Sequence, residues 1–508
     1  MKKIILILLF VFSIFAFASC EFLNTDTNNP KDDVKDTDTT DPEDDKDNTM
    51  AKDPVDLTIF AINDFHGVVF EKGSYAGISK IGSFLENNTD ENTVLISSGD
   101  MYQGTAVSSM TRGRVMVDCM NYLGFDAMAV GNHEFDWGIE EILKYYDGDT
   151  ENGEAEFPLL CANCKDLETG SLASWCVPYT VVERFGVKIG IIGVIGQNEE
   201  SDILESNVRM YDFTDELTAI KKYSKILHDD EKCDLVIVSA HLDTSDINFR
   251  LANLTGSERI DVILNGHTHQ AYKDIYTRED GSYIPMVQSG CYGTYIGRID
   301  ITYDPKTKMI TKATCENIEA IKYAKSESQG IEDILAKYQE YIDLANSYLG
   351  TSKSYIDKYT MGPWISDQIK KIYDADVGIV NTGGVRGNAF PIQSGQELFY
   401  DSVFQMLPFE NKIQVVEIKG SALISLLYSS GSYFFSSNVS GDYLTINGNP
   451  IDSNRYYKIV TIDYLYEKSY LPFKDGINHI SYDDLIREVI VTAISDNIKK
   501  NGKFDVRG

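Results

Sequence analysis

The sequence predicts two α/β domains in series, and three observations carry that reading. First, six short apolar runs, "LTIFAI" (57–62), "TVLIS" (93–97), "DAMAV" (126–130), "KIGIIGVIG" (188–196), "DLVIVSA" (234–240) and "DVILN" (261–265), alternate with longer mixed segments of helical character. That is the pattern of internal strands separated by helices. Second, five of the six runs lead directly into a polar cluster: "NDFHG", "SGDMYQG", "GNHEFD", "HLD" and "GHTHQ". Third, residues 351–508 carry strand-like runs of their own, "VGIVN" (377–381), "IQVVEIKG" (413–420) and "YYKIVTID" (456–463), with a Gly-rich turn "NTGGVRG" (381–387). A chain of 508 residues is too long for one core, which agrees with this division.

The expected organisation follows in chain order. Residues 1–20, "MKKIILILLFVFSIFAFASC", have two lysines, an apolar stretch and small residues before Cys20, the layout of a secretory signal. "FASC" resembles a bacterial lipoprotein signal, with Phe17 in place of the usual Leu, so Cys20 is the expected lipidation site and an acyl anchor in the membrane the consequence. Plain secretion is the alternative. Residues 21–54 are rich in Asp, Thr, Asn and Pro and have almost nothing to bury, so they read as a disordered acidic linker. The first domain is expected over 55–325, a connecting helix over 326–350 and the second domain over 351–508.

A formal net charge of -32 disfavours a basic face for nucleic-acid polymers or anionic membranes. Small phosphorylated substrates stay open, because a local site can oppose the global sign. With Cys20 set aside, Cys119, Cys161, Cys164, Cys176, Cys233, Cys291 and Cys315 are an odd number and cannot all pair within the chain. "CANC" (161–164) has no second CxxC beside it. It reads as buried small residues on a strand, with a bridge from Cys161 or Cys164 to Cys176 as the next possibility.

Side chains at the ends of adjacent strands in an α/β sheet meet in one crevice. Here that crevice gathers Asp64, His66, Asp100, Asn132, His241, His267 and His269, and with His133 five of the chain's seven histidines. A single histidine after a strand is more often structural; five, each with a carboxylate or amide nearby, point to a metal site. Mixed imidazole and carboxylate donors suit zinc, manganese, iron or cobalt. Seven donors are too many for one tetrahedral ion, and two divalent ions sharing a carboxylate fit the count, an arrangement that hydrolyses phosphate esters.

The five clusters, in this order over residues 58–270, resemble the metal motifs of the calcineurin-like metallophosphoesterases in the form found in the 5'-nucleotidase family, and "LPFEN" with "NTGGVRG" extends the likeness into the second domain. The resemblance implies a four-layer αββα sandwich followed by a smaller α/β substrate-binding domain. It implies one ion on Asp64, His66, Asp100 and His269 and another on Asp100, Asn132, His241 and His267, with Asp100 bridging. His133, oriented by Asp136, is implied as the catalytic pair; the alternative for Asp136 is a helix or turn cap. Glu134 and Trp137 are expected to serve packing and turn structure, with no part in the chemistry.

In the second domain the likeness implies substrate contacts from Asn381 and Arg386, and a base sandwiched by Phe409 and Tyr464. The bland alternatives are a Gly-rich turn with a solvated arginine, and aromatic residues in the core. The chain departs from the family where a "GGDG" turn helps read the base, since Tyr470 falls near that Asp. An arginine expected before "MGPW" (361–364) is replaced in a neighbourhood of Ser354, Tyr355 and Lys358. The expected activity is release of phosphate from 5'-nucleotides outside the cytoplasm, with monophosphates first and di- and triphosphates as further candidates. A 2',3'-cyclic-nucleotide phosphodiesterase with 3'-nucleotidase activity or a UDP-sugar hydrolase of the same family is the alternative, and a binding protein on a retired scaffold is a third. The expected partners are a nucleotide and, through Cys20, a membrane.

Overall fold

In the strand Val55–Ile62 the side chains alternate between two apolar environments, and the first domain is built on that alternation. The computed structural model describes residues 53–243, 246–429 and 431–507. Cys20, the expected signal and all but the last two residues of the expected linker lie outside them.

Val55–Ile62 pairs in parallel with Thr93–Ser97 (Ile59 opposite Val94) and antiparallel with Tyr295–Asp304 (Ile59 opposite Ile299). Ala127–Ala129 and Leu159–Leu160 continue the parallel side, and Met309–Glu319 closes the other edge, giving six strands. A second six-stranded sheet has Val187–Ile195, Leu235–Leu242, Val262–His267 and Tyr283–Ser289 in parallel, with Tyr179–Arg184 and Ala271–Thr277 as antiparallel edges.

Because side chains on a strand alternate between faces, each sheet serves two cores. Ile59, Ile96, Ile189, Ile191, Ile237 and Leu264 fill the space between the sheets. On the outer face of the first sheet, Phe60 and Leu95 meet Ile78 and Ile81 of the helix Gly77–Glu86 and Met116 of Arg114–Leu123. On the outer face of the second, Ile192, Val194 and Val238 meet Ile220 and Leu227 of the helix Glu216–Asp229, whose first turn is capped by Asp215. The result is helix, sheet, sheet, helix, the expected four layers.

The second domain has a five-stranded mixed sheet in the order Tyr433–Phe435, Val377–Asn381, Tyr456–Ile462, Lys412–Lys419, Ile477–Leu485. The helices Lys358–Ile372, Gly420–Tyr428 and Ile486–Asn501 contribute to its separate core. All described residues belong to one compact unit, and none of their helices is long and apolar enough to cross a membrane.

The expected connecting helix differs from the reading. It is two helices, Gln329–Leu335 and Gln339–Ala345, joined by a 3-10 turn. Ile331, Ile334, Leu335 and Ile342 make one apolar face, and that face is buried in the outer core of the first domain. Gly82 makes room for it, since a Cβ there would lie 2.9 Å from the Ile331 side chain. The segment is therefore part of a core, and Ile331→Ala is expected to cost about 2–4 kcal/mol. Urea unfolding of the first domain, followed by tryptophan fluorescence, measures it; a loss below about 1 kcal/mol, that of a surface change, would mean that the segment is only a connector.

Candidate active site

The parallel strands of both sheets deliver their C-terminal ends to one side of the sandwich, and the polar clusters sit there. Asp64 follows Val55–Ile62, Asp100 follows Thr93–Ser97, and Asn132 opens the 3-10 turn after Ala127–Ala129. His241 and His267 lie on the last residues of the neighbouring strands Leu235–Leu242 and Val262–His267. The backbone is forced to bring them together: Asp64, His66, Asp100, His267 and His269 all have positive φ, between 49° and 80°. Such conformations cost roughly 1–3 kcal/mol each and concentrate at functional sites. Two glycines allow the close approach. A Cβ on Gly99 would lie 2.7 Å from His241 Nδ1, and one on Gly131 would collide with Asp100 Oδ1 at 2.2 Å.

Two sets of donor atoms result. In the first, His66 Nε2 lies 3.1 Å from His269 Nε2, which is 3.5 Å from Asp64 Oδ1. In the second, His241 Nε2 is 3.2 Å from Asp100 Oδ2 and 3.0 Å from Asn132 Oδ1, and that oxygen is 3.1 Å from His267 Nδ1. Donor atoms of Asp64, His66 and His269 lie within 4.8 Å of one another, as do those of Asp64, Asp100 and His241, and Asp100 also falls within that distance of His66 and His133. All seven expected ligands thus come together, with Asp100 between the two sets. His66 Nδ1 is 3.0 Å from the Gln103 carbonyl and His241 Nδ1 is 2.7 Å from that of Ser98. A proton on each Nδ1 leaves Nε2 as the donor lone pair.

The electrostatics match crowded cation ligands. Burial, and behind it the His269 ring, holds His66 well below its ordinary value; burial and the Arg386 guanidinium lower His269 to about 4. Burial, with the Asp100 charge adding to it, raises Asp64 to about 6. For Asp100 burial acts upward, but His241 and His133 outweigh it and hold the carboxyl well below the usual range. His241 goes the other way: burial works against its charge, but Asp100 outweighs it and raises the ring to about 10, so a cation held there would displace a proton. The oxygen and nitrogen donor set fits divalent metal cations.

His133 stands beside these sets. Its Nδ1 is 2.7 Å from Asp136 Oδ2 and its Nε2 4.0 Å from Asp100 Oδ2. Burial works against the charged ring, yet the Asp136 and Asp100 carboxylates outweigh it and raise His133 to about 9. Its ring stacks on Phe409 of the second domain, with centroids 5.7 Å apart and planes 24° apart, and Arg386 lies 5.6 Å from the same ring.

Between the domains lies a cavity of about 420 Å³. Asp100, Asn132, His133, Asp136, His267 and His269 line one wall, and Asn381, Arg386, Phe409 and Tyr464 the other. Asn381 Oδ1 is buried without a hydrogen-bond partner, against Gly384, where a Cβ would lie 2.5 Å from it. Tyr464 donates its hydroxyl to the Ser201 carbonyl at 3.1 Å, with Lys468 Nζ 4.5 Å from its ring centre. Tyr470 is 77 % exposed and does not line the cavity. Among the described residues the seven cysteines are free; Cys161 and Cys164 are buried, and Cys176 Sγ is 3.6 Å from the Cys164 carbonyl.

Three residues do more than the sequence indicates. Glu134, expected to serve packing and turn structure, is fully buried and accepts backbone N–H bonds from Gly131 of its own turn and from Asp100 and Met101 of another loop, at 2.7, 2.9 and 3.0 Å. It joins two of the ligand loops. Glu199 Oε2 lies 3.0 Å from His267 Nε2, and nothing in the acidic string "QNEESD" distinguishes it. Gln103 accepts from His66 through its carbonyl, and its side chain donates to the Pro408 carbonyl at 3.1 Å. Its place in "SGDMYQG" was the only signal.

Known proteins give the same picture. Residues 57–271 match the calcineurin-like phosphoesterase family, and residues 347–471 match the 5'-nucleotidase, C-terminal domain. Endonuclease YhcR of Bacillus subtilis (strain 168) is 28% identical over 427 residues, 76% of this chain and 34% of that protein, so the chain spans about a third of its length. An apyrase of Tabanus yao is 26% identical over 413 residues, 72% of each chain. The structure of a 5'-nucleotidase precursor from Thermus thermophilus superposes with a TM-score of 0.71 at 20% identity, covering 87% of this chain and 96% of that one, a likeness of fold. With both domain families present in order, this chain belongs to the 5'-nucleotidase family of metal-dependent phosphoric ester hydrolases.

Proposed function

We propose that the protein is a dinuclear-metal phosphohydrolase that releases phosphate from nucleoside 5'-monophosphates outside the cytoplasm. The observation that carries the reading is the cavity in which Asp100, Asn132, His267 and His269 of the donor sets and the His133–Asp136 pair face Asn381, Arg386, Phe409 and Tyr464. Asp64, His66, Asp100 and His269 would hold one divalent cation, and Asp100, Asn132, His241 and His267 the other. When bound, such a pair supplies Lewis acidity to the phosphoryl oxygens and to the attacking water.

The remaining work falls to the chain's own groups. Asp136 keeps His133 protonated and turned so that Nε2 offers its proton to a phosphoryl or leaving oxygen. Arg386 answers phosphate or ribose oxygens, and Asn381, on the same wall of the cavity, offers its amide to them. Phe409 and Tyr464 supply flat faces for the base. The proposal includes lipid anchoring through Cys20, supported by the composition of residues 1–20.

One observation favours a second reading, a 2',3'-cyclic-nucleotide phosphodiesterase with 3'-nucleotidase activity or a UDP-sugar hydrolase. The position near the family's base-reading Asp holds Tyr470, which stands in solvent away from the cavity. Chromatography of the products separates the two, with manganese, zinc or cobalt added: adenosine from AMP, the nucleoside from a 3'-nucleotide, the ring-opened monophosphate from a 2',3'-cyclic nucleotide, and UMP with sugar 1-phosphate from a UDP-sugar. Preference for AMP is expected; preference for the cyclic ester or the sugar nucleotide transfers the function to the second reading.

Two substitutions test the roles. His133→Asn is expected to lower kcat by about 10²–10⁴-fold with both cations retained, the size of a lost general acid; elemental analysis showing cation loss would refute that role. Phe409→Ala is expected to raise KM for AMP about fivefold more than KM for p-nitrophenyl phosphate, as loss of a base-stacking contact worth about 1 kcal/mol requires. Because Phe409 also packs on His133, a loss of kcat common to both substrates is expected beside it, and equal KM changes would mean that the ring serves only packing.

A further inference from the structure

His267 has two neighbours that differ in kind. Its Nδ1 faces Asn132 Oδ1 at 3.1 Å, and its Nε2 meets Glu199 Oε2 at 3.0 Å. A carboxylate on one ring nitrogen holds the proton there and fixes the other as the donor atom. Glu199 therefore decides which nitrogen His267 offers. Glu199 opens the 3-10 turn Glu199–Asp202, which its own domain holds through the Phe213 N–H on Glu200 Oε1 and which the other domain holds through its carbonyls.

Lys468 reaches across and donates through Nζ to the carbonyls of Ser201 at 2.7 Å and Ile203 at 3.2 Å. It is 6 % exposed, so this ammonium is nearly out of water. A buried cation is costly unless its donors are satisfied, and two carbonyls of the same turn satisfy it, with the Tyr464 ring 4.5 Å away. Glu467 Oε2 accepts from the Ser206 backbone at 2.8 Å just beyond. The turn thus has Glu199 against His267 on one side and the second domain gripping its carbonyls on the other.

A parallel arrangement serves the other donor set. The carbonyl that receives His66 Nδ1 belongs to Gln103, whose own side chain is held by the Pro408 carbonyl of the second domain. Some contacts between the domains have no such link. Lys72 donates to Gln405 Oε1 at 2.7 Å, and neither residue touches a group that orients a donor.

We propose that Lys468 is a positioning residue: by gripping the Ser201 and Ile203 carbonyls it holds the Glu199 carboxylate on His267, so that the substrate-binding domain sets the affinity of the catalytic domain for its second cation. The inference rests on the proposed assignment of His267 as a cation ligand. Tyr464, which grips the same carbonyl, lines the substrate cavity as well; the base-binding face and the ligand-orienting turn therefore share one brace.

The test is cobalt binding by the full chain after chelator treatment, read by equilibrium dialysis and by the visible spectrum of bound Co²⁺. The native protein is expected to bind two ions. Glu199→Gln and Lys468→Met are each expected to weaken one of them about 10–100-fold, the range for partners of a ligating histidine, and to shift its visible bands while the other ion is unaffected. Lys468→Arg is expected to restore most of the affinity, and Lys72→Met to change nothing. The double variant is expected to bind no more weakly than Glu199→Gln alone, because the two act through one contact.

Unaltered cobalt binding in Lys468→Met, or losses in the double variant that simply add, would overturn the proposal. Should Lys468→Met fail to fold, Lys468→Gln and Lys468→Arg read the same quantity, and equal affinities in those two would also overturn it. A native protein that binds fewer than two cobalt ions would instead refute the dinuclear assignment itself.

Discussion

The geometry of this site depends on one buried carboxylate, Glu134. Its two oxygens accept the backbone N–H groups of Gly131, Asp100 and Met101, and so bind the loop after the second strand to the loop after the third. Burial and the nearby Asp100 charge raise Glu134 to about 7, while the N–H bonds to the carboxylate act in the other direction. The contact supports strained neighbours. Asp100 has a left-handed backbone, and Gly131 has no room for a Cβ. Five donors in left-handed conformations would relax in a free loop at a gain of roughly 1–3 kcal/mol each. They persist because the loops are tied to one another and to rigid strand ends.

From that frame the charge distribution follows. The chain is strongly acidic, yet the proposed substrate is an anion. Cations held by the donor sets would locally reverse the sign, and His133 and Arg386 add protein charge on the same side of the cavity. His133 keeps its proton because Asp136 and Asp100 flank it, while His66 and His269, a few ångströms away, are driven to the neutral form by burial. Similar rings in one small space thus take opposite protonation states. The Asp136 and Asp100 carboxylates hold the proton on His133; Asp100 likewise raises His241, so a cation taken up at that ring would displace its proton.

How much of this was legible in the sequence depended on the range of the interaction. The runs at 93–97 and 377–381 coincide with strands, because a fully buried parallel strand is a continuous apolar run. The run at 126–130 yields only Ala127–Ala129, since the Asp126 carboxylate accepts from Leu95 N and Arg184 at the edge of the ladder. Edge strands such as Tyr179–Arg184 and Ala271–Thr277 escaped, being half-exposed and mixed in composition. The ligands were legible because each sits next to its own strand. Glu199 and Gln103 were not, because their roles exist only after segments distant in sequence have met, and a free acidic string looks the same whether or not one of its members faces a histidine.

The same distinction explains how the two domains divide the chemistry. The first domain assembles the donor sets from strand ends, where sheet register sets position within a fraction of an ångström. The second contributes side chains from turns: Asn381 and Arg386 after a strand, Phe409 after a helix, Tyr464 and Lys468 around a short helical turn. A change in such a turn leaves the donor sets intact, so the substrate can alter while the chemistry stays. Phe409 limits that freedom, because its ring packs on His133 as well as facing the cavity. A substitution there changes the surroundings of the proton donor together with the base-binding face, whereas the exposed Tyr470 segment carries no such constraint. Specificity in this chain is therefore freest to change around Tyr470 and most restricted at Phe409.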